Sequence, residues 1–209
     1  MSVTIGDKLP RRGNPISRWI GRSFLWLIGW RIEGSLPNLP KMVMIGAPHT
    51  SNMDGVVSIA TLVALGIRAS TMIKDSAFKG VMGPILRGFG AIPINRKSPK
   101  GVVEQTVDAF ANNAQMVMLI APEGTRHSAQ EWKRGYWHIA LGAGVPVLPA
   151  CVHYGKKIVT FGPPLMPSGN YAADLAQLLE FYAAHAGPRH PDRLSLPLKN
   201  ALQHPRDGL

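Results

Sequence analysis

The chain has 209 residues, 45% of them hydrophobic and 17% charged, a length that suits one α/β domain, or at most two small ones, with enough chain to bury a proper core. Its 23 Lys and Arg against 12 Asp and Glu leave a net charge of +11, gathered at one end: residues 1–100 hold 14 basic and four acidic residues (Asp7, Glu33, Asp54, Asp75), and residues 101–209 hold nine and eight. One cysteine excludes an internal disulfide, no Cys/His spacing resembles a zinc site, and no apolar run reaches about 18 residues, so the composition predicts a reducing compartment, no structural metal, no signal peptide and no simple transmembrane helix. The basic half points to an anionic partner: a membrane surface, phosphate groups, an acidic carrier protein or nucleic acid.

Residues 14–30 open the pattern. At a helical period Arg11, Asn14, Arg18, Gly21, Arg22 and Gly29 share one stripe, while Ile16, Trp19, Ile20, Phe24, Trp26, Leu27, Ile28 and Trp30 cover the rest and Leu25 interrupts the polar stripe. A narrow arginine stripe, three tryptophans and a wide apolar face predict an amphipathic helix lying in a membrane interface. The alternative is an ordinary helix on the core, with its arginines in solvent.

After a Pro-bounded turn at 36–40, strand-like and helix-like patterns alternate. Strands are predicted at Lys41–Ala47, Ala69–Lys74, Ala91–Arg96, Gln115–Ala121, Pro146–Tyr154 and Lys156–Phe161. Helices are predicted at Met53–Leu65, Phe78–Phe89, Val102–Ala114, Lys133–Gly142 and Tyr171–His185. Pro93 places its strand at an edge or a strand end. Such alternation predicts an α/β fold with a largely parallel central sheet and helices on both faces. The expected organisation is a basic N-terminal segment with the amphipathic interfacial helix (1–35), a central α/β domain (36–186) and a Pro-rich basic tail (187–209), read as an extended or partly disordered arm.

In a parallel sheet, ligands bind where loops leave the carboxyl ends of strands, and three such places carry polar clusters. Directly after the first strand comes Pro48-His49-Thr50-Ser51-Asn52-Met53-Asp54-Gly55. An Asp beside a His can fix the imidazole tautomer while the other ring nitrogen takes a proton from a hydroxyl. Five residues subtend about 140° on a regular helix, so a dyad requires His49 before the helix and Asp54 in its first turn. Ser51-x-x-Asp54 also reads as a capping box, and both readings can hold together. In Gly88–Arg96, Arg96 suits bidentate capture of phosphate or stands as a solvated surface residue. After the most hydrophobic strand, Glu123-Gly124-Thr125-Arg126 is either a glycine turn offering backbone N–H groups, Thr125 and Arg126 to an anion, or a turn closed by a Glu123–Arg126 ion pair. A fourth block, Val145-Pro146-Val147-Leu148-Pro149-Ala150, offers apolar wall. Lys74 and Lys133 are further candidates for a donor or acceptor phosphate, against solvated faces as the plainer reading.

These four blocks, in this order and spacing, resemble the glycerolipid acyltransferase family, which includes lysophosphatidic acid acyltransferases. His49-x4-Asp54 is similar to its catalytic first motif, Gly90–Arg96 to the second, Glu123-Gly124-Thr125-Arg126 to the third and Val145–Pro149 to the fourth. Pro48 stands where Asn often precedes the His, and His127 where Ser often follows the Arg, departures that bear on the acceptor. The resemblance implies an acyltransferase domain over 36–186 and transfer of a fatty acyl group from a thioester, on coenzyme A or acyl carrier protein, to a hydroxyl of a lysophospholipid such as lysophosphatidic acid. His49 would be the general base and Asp54 its orienter; Arg96, Glu123, Gly124, Thr125 and Arg126 would bind substrate. No metal or organic cofactor is implied, and no acyl-enzyme, since Cys151 reads as core.

The expected partners are an anionic membrane surface, a lyso-lipid acceptor and the acyl thioester, at the cytoplasmic side of the cell membrane and peripheral (monotopic). Nucleic acid fits poorly, because the aromatics gather in the Trp-rich helix and do not alternate with Lys and Arg on strands. The rivals are another acceptor, such as an amino-acid lyso-lipid or glycerol 3-phosphate, and a non-enzymatic basic protein of membrane surfaces. A thioesterase or lipase is disfavoured, as no Gly-x-Ser-x-Gly elbow occurs.

Overall fold

The computed structural model describes residues 5–88, 90–95, 98 and 100–203. In chain order the elements are α1 (Pro15–Leu27), β1 (Arg31–Gly34), β2 (Lys41–Gly46), α2 (Asn52–Leu65), β3 (Ala69–Lys74), α3 (Met82–Gly88), β4 (Ala91–Ile94), α4 (Val102–Asn112), β5 (Met116–Ile120), α5 (Gly135–Ala143), β6 (Val147–His153), β7 (Ile158–Phe161), α6 (Tyr171–His185) and α7 (Leu196–Gln203). Short 3-10 turns cover Asp75–Phe78 and Pro191–Arg193. The strands form one seven-stranded sheet in the order β1-β7-β6-β2-β5-β3-β4, parallel at every pairing except β6 with β7.

The strand at residues 31–34 carries no alternating apolar run and was not expected; it forms by pairing with β7 at the sheet edge, burying only Ile32. The long helix expected over 78–89 is instead a 3-10 turn and a short α3, separated by Gly80 with φ at +59°. Elsewhere the predicted strands and helices agree within a few residues.

The alternation of β2 sorts the core into two layers. Val43 and Ile45 join Phe110, Trp132, Tyr136, Leu178 and Tyr182 on one face, beneath α4, α5 and α6. Met42 and Met44 join Leu25, Val57, Ala64, Leu148 and Phe161 on the other, beneath α1 and α2. A parallel strand buried on both faces reads as a continuous apolar run, as KMVMIG does. The hydroxyl of Tyr182, on α6, donates to the Ile45 carbonyl at 2.9 Å and ties the helix to the central strand.

The tail departs from the extended or disordered arm expected for residues 187–209. Gly187 bridges to His153, Leu194 and Leu198 enter the core, and α7 packs beside α6. Sparse apolar spacing hid this, because three or four anchors hold a segment that has no periodicity of its own. Residues 204–209 lie outside the described residues.

Helix α1 sits in the opposite sense to an ordinary core helix. Gly21 and Leu25 are buried against α2, and a Cβ on Gly21 would lie 2.6 Å from the Ala64 backbone nitrogen. Arg22 donates to the Ala64 carbonyl at 3.3 Å, and the half-buried Arg18 lies against Gly66, so the arginine stripe meets the C-terminal end of α2, where cations are favoured. Leu25 therefore belongs to the packed stripe. The apolar face points outward, with Trp19 67% and Trp26 76% exposed beside Ile16, Ile20, Phe24 and Leu27. Among the described residues no helix is long and apolar enough to cross a membrane. Gly21→Val should push α1 off α2 and cost about 1–3 kcal/mol, read as a lower urea midpoint; an unchanged midpoint would show that the α1–α2 contact contributes little.

Candidate active site

The parallel pairing of β2 with β5 and β6 sets Ile45 beside Ile120 and Gly46 beside Ala150, so three carboxyl ends emerge together. The loop after β2 carries His49, the turn after β5 carries Glu123, and Tyr154 follows directly on β6. This is the edge of the sheet where ligands are expected.

His49 lies before α2 and Asp54 at its third residue, as a dyad requires. His49 Nδ1 stands 3.7 Å from Asp54 Oδ2, close but beyond hydrogen-bond distance. Asp54 also closes the helix start: its Oδ2 accepts the Thr50 and Ser51 amides at 2.7 and 2.8 Å, and its Oδ1 accepts the Ser51 hydroxyl at 3.0 Å. The capping-box reading of Ser51-x-x-Asp54 holds, and the same carboxylate stands beside His49. Burial pushes the His49 imidazole below its ordinary value; Asp54 pulls it up and the Arg126 cation pushes it down again, the net being downward. A histidine held so is neutral near pH 7 and able to accept a proton.

Glu123 is 3% exposed and directed inward. Its Oε2 accepts the backbone N–H of His49 at 2.6 Å and its Oε1 accepts the Ser195 hydroxyl at 3.0 Å. Ser195 in turn accepts from the Trp132 indole at 3.0 Å. Burial pushes the Glu123 carboxyl up, and the two hydrogen bonds act against that rise. The Glu123–Arg126 ion pair that the turn allowed is replaced by these contacts, and Arg126 reaches the Asn52 side chain instead. Gly124, with φ at +66°, lies under the exposed Lys133, whose chain passes where a Cβ would sit. The Thr125 hydroxyl accepts from the His127 amide at 3.2 Å. Arg126 and Lys133 therefore flank the same turn. Lys74 stands exposed at the end of β3, two strands away from β2, and Arg96 lies outside the described residues.

A cavity of about 320 Å3 runs from His49 and Asp54 down between α2 and the sheet. Gly55, Ser58, Ile59 and Leu62 of α2 form one wall; Met44, Leu119, Ala150, Val152, Val159 and Phe161 form the other. Apart from the dyad at its head, its lining is mainly apolar, and its size falls within the range of ligand pockets. Ile59 is both a wall residue and 63% exposed, so the cavity communicates with the outer apolar surface of α2. Cys151 touches the cavity, but burial pushes its thiol up to about 12, which keeps it from being a thiolate nucleophile. Among the described residues, no three His, Cys, Asp or Glu side chains gather in a way that could hold a metal ion.

Three contributors escaped the sequence reading. Ser195 and Arg193 come from the tail, Arg193 reaching the Thr50 carbonyl at 3.4 Å, and no motif marks them. Tyr154, whose hydroxyl bonds Asp54, read only as the end of a strand; the parallel placement of β6 beside β2 was the signal that could have found it.

A family model described as Acyltransferase matches residues 31–153. Among curated proteins, the 1-acyl-sn-glycerol-3-phosphate acyltransferase of Escherichia coli (strain K12) is 32% identical over 106 residues, 44% of this chain and 41% of that protein. The Haemophilus influenzae protein of the same name is 26% identical over 162 residues, 72% and 65% respectively. The matches thus span less than two thirds of these relatives' lengths. The crystal structure of the 1-acyl-sn-glycerophosphate (LPA) acyltransferase PlsC from Thermotoga maritima aligns over 93% of this chain and 80% of that one, with a TM-score of 0.58 at 17% identity, so the two share a fold. Since the family match runs over more than half of the chain, from β1 to the end of β6, and takes in His49, Asp54 and the Glu123–Arg126 turn, the chain belongs to the acyltransferase family.

Proposed function

We propose that the protein transfers a fatty acyl group from a thioester, on coenzyme A or acyl carrier protein, to a hydroxyl of a lysophospholipid such as lysophosphatidic acid. The observation that carries this reading is the His49–Asp54 pair at the head of an apolar cavity. The relatives named for 1-acyl-sn-glycerol-3-phosphate acyltransfer support the same acceptor class.

In this reaction neutral His49 takes the acceptor's hydroxyl proton as the oxygen attacks the thioester carbonyl. The tetrahedral intermediate collapses with cleavage of the C–S bond, and the leaving thiolate takes the proton back from His49. Asp54 steadies the imidazolium between the two transfers. The acyl chain occupies the cavity between α2 and the sheet, whose depth along α2 from Asp54 to Leu62 is about 12 Å at 1.5 Å per residue. Arg126 and Lys133, on one side of the Gly124 turn, supply positive charge for a phosphate head group.

The outward apolar face of α1 and the exposed Val56, Ile59 and Val63 of α2 suit docking on a lipid surface, which also delivers the substrate to the cavity beside Ile59. Docking of this kind makes the protein peripheral, with the site open to donors on the cytoplasmic side.

The test is free-thiol release from long-chain acyl-CoA or acyl carrier protein in the presence of lysophosphatidic acid, with product mass confirmed. His49→Ala should lower the acceptor-dependent rate by about 10^3-fold or more, on the scale of losing a catalytic base; equal rates in the two proteins would overturn the dyad. Thiol release without any acceptor would make the protein a hydrolase.

The pH dependence follows from the same histidine. Its proton must be absent for the base to work, and burial holds its affinity for that proton below the ordinary value, so the acid limb of kcat/KM should be centred below about pH 6.5. A limb centred above pH 7 would assign the controlling proton to another group. For docking, Trp19→Ala/Trp26→Ala should weaken co-sedimentation with lipid vesicles by at least about tenfold, since each buried aromatic contributes about 1.5–3 kcal/mol; unchanged co-sedimentation would remove α1 from the docking surface.

A further inference from the structure

Asp54 is held from two sides, and the second side has no motif. The Tyr154 hydroxyl donates to Asp54 Oδ1 at 2.6 Å, the shorter of the two side-chain hydrogen bonds that this carboxylate receives. The Thr50 and Ser51 amides occupy Oδ2, the oxygen nearest His49. The Tyr154 ring is fixed in turn: buried Trp30 meets it edge-on with centroids 5.1 Å apart, and the Arg189 guanidinium lies over it at 5.9 Å. Burial pushes the phenol up to about 12, so throughout the neutral range it remains an O–H donor. Among the described residues, the hydroxyl besides Asp54 meets only the Ser51 hydroxyl at 3.5 Å, and the ring contacts would also hold a phenylalanine.

We propose that Tyr154 is a positioning residue for acyl transfer, orienting the Asp54 carboxylate toward His49 and drawing part of its charge away from the imidazole. This rests on the reading of His49 as the general base. A carboxylate that gives up charge to a short hydrogen bond attracts the imidazolium less, so His49 stays neutral at lower pH. The other groups that face the His49 loop are Asp54 from α2, Glu123 and Arg126 from the turn after β5, and His190 and Arg193, which reach Thr50 from the segment after α6. Among these groups the phenolic oxygen touches Asp54 alone, and beside it the Ser51 hydroxyl at 3.5 Å.

The experiment is Tyr154→Phe in the full chain, with thiol release measured against pH and the His49 ring titrated by NMR. The variant should lose about 10–100-fold in kcat, the scale seen when a partner one step behind the reacting groups is removed. KM for the acceptor should hold, and both the acid limb and the His49 titration should move to higher pH. In the Asp54→Asn background, Tyr154→Phe should have no further effect on kcat. A purely structural role would lower the melting temperature and leave the His49 titration in place, and that result would overturn the proposal. So would an undiminished loss in the Asp54→Asn background. If the wild-type protein turned over no acceptor, the failure would fall on the proposed function, while the His49 titration, which needs no turnover, would still decide the role of Tyr154.

Discussion

Three consecutive backbone amides, those of His49, Thr50 and Ser51, are bound by two buried carboxylates. Glu123 takes the first from the β5 side, and Asp54 takes the other two from within α2. A loop held in this way cannot drift, so the imidazole leaves the sheet at one angle. The arrangement is costly in isolation, because burial and the neighbouring Asp54 carboxylate both raise the proton affinity of Glu123. It persists because each oxygen has a donor: amides, the Ser51, Ser195 and Tyr154 hydroxyls, and behind Ser195 the Trp132 indole. A site assembled from backbone N–H groups tolerates change in neighbouring side chains better than change in the carboxylates themselves.

That constraint explains what could be read from the sequence and what could not. The strands β2, β5 and β6 were legible because two-sided burial leaves unbroken apolar runs, and His49, Asp54 and Glu123 were legible because they sit just past those runs. Glu123 was legible as a candidate, but of its two open readings the ion pair with Arg126 does not form, and its actual partners, the His49 amide 74 positions back and the Ser195 hydroxyl, lie far away in sequence. Ser195 and Tyr154 were out of reach for the same reason: their partners lie 72 and 100 residues away. The tail was illegible for a different reason. Leu194, Ser195 and Leu198 are buried anchors in a stretch without helical or strand period, and periodicity is the signal on which such reading depends.

The helix α1 shows how a correct pattern can carry an inverted geometry. The arginine stripe and the apolar face were both visible, but a stripe of charge is assumed to face water, and here it faces a neighbour. Gly21 allows the backbone of α2 to approach, and Leu25 fills the contact. The C-terminal carbonyls of α2 supply the negative end that Arg22 meets. The outward surface of α1 is largely apolar, formed by Ile16, Trp19, Ile20, Phe24, Trp26 and Leu27.

This bears on the meaning of the basic half of the chain. Arg22 meets the end of α2, Lys41 donates to the Phe110 carbonyl at 2.7 Å, and Lys100 lies against Asp108 and Glu104. Arg31 stands 3.9 Å from Glu33. Among these cations only Lys100 meets carboxylates from outside that half, those of Glu104 and Asp108. Arg126 and Lys133 belong to the half whose charges nearly balance, yet they flank the turn beside the cavity. Under the proposed function, attraction of an anionic head group would rest on two cations standing on one turn, and contact with a lipid surface on the apolar face of α1. On that proposal, the two tasks that a count of charges assigns to one basic segment would fall to separate parts of the fold.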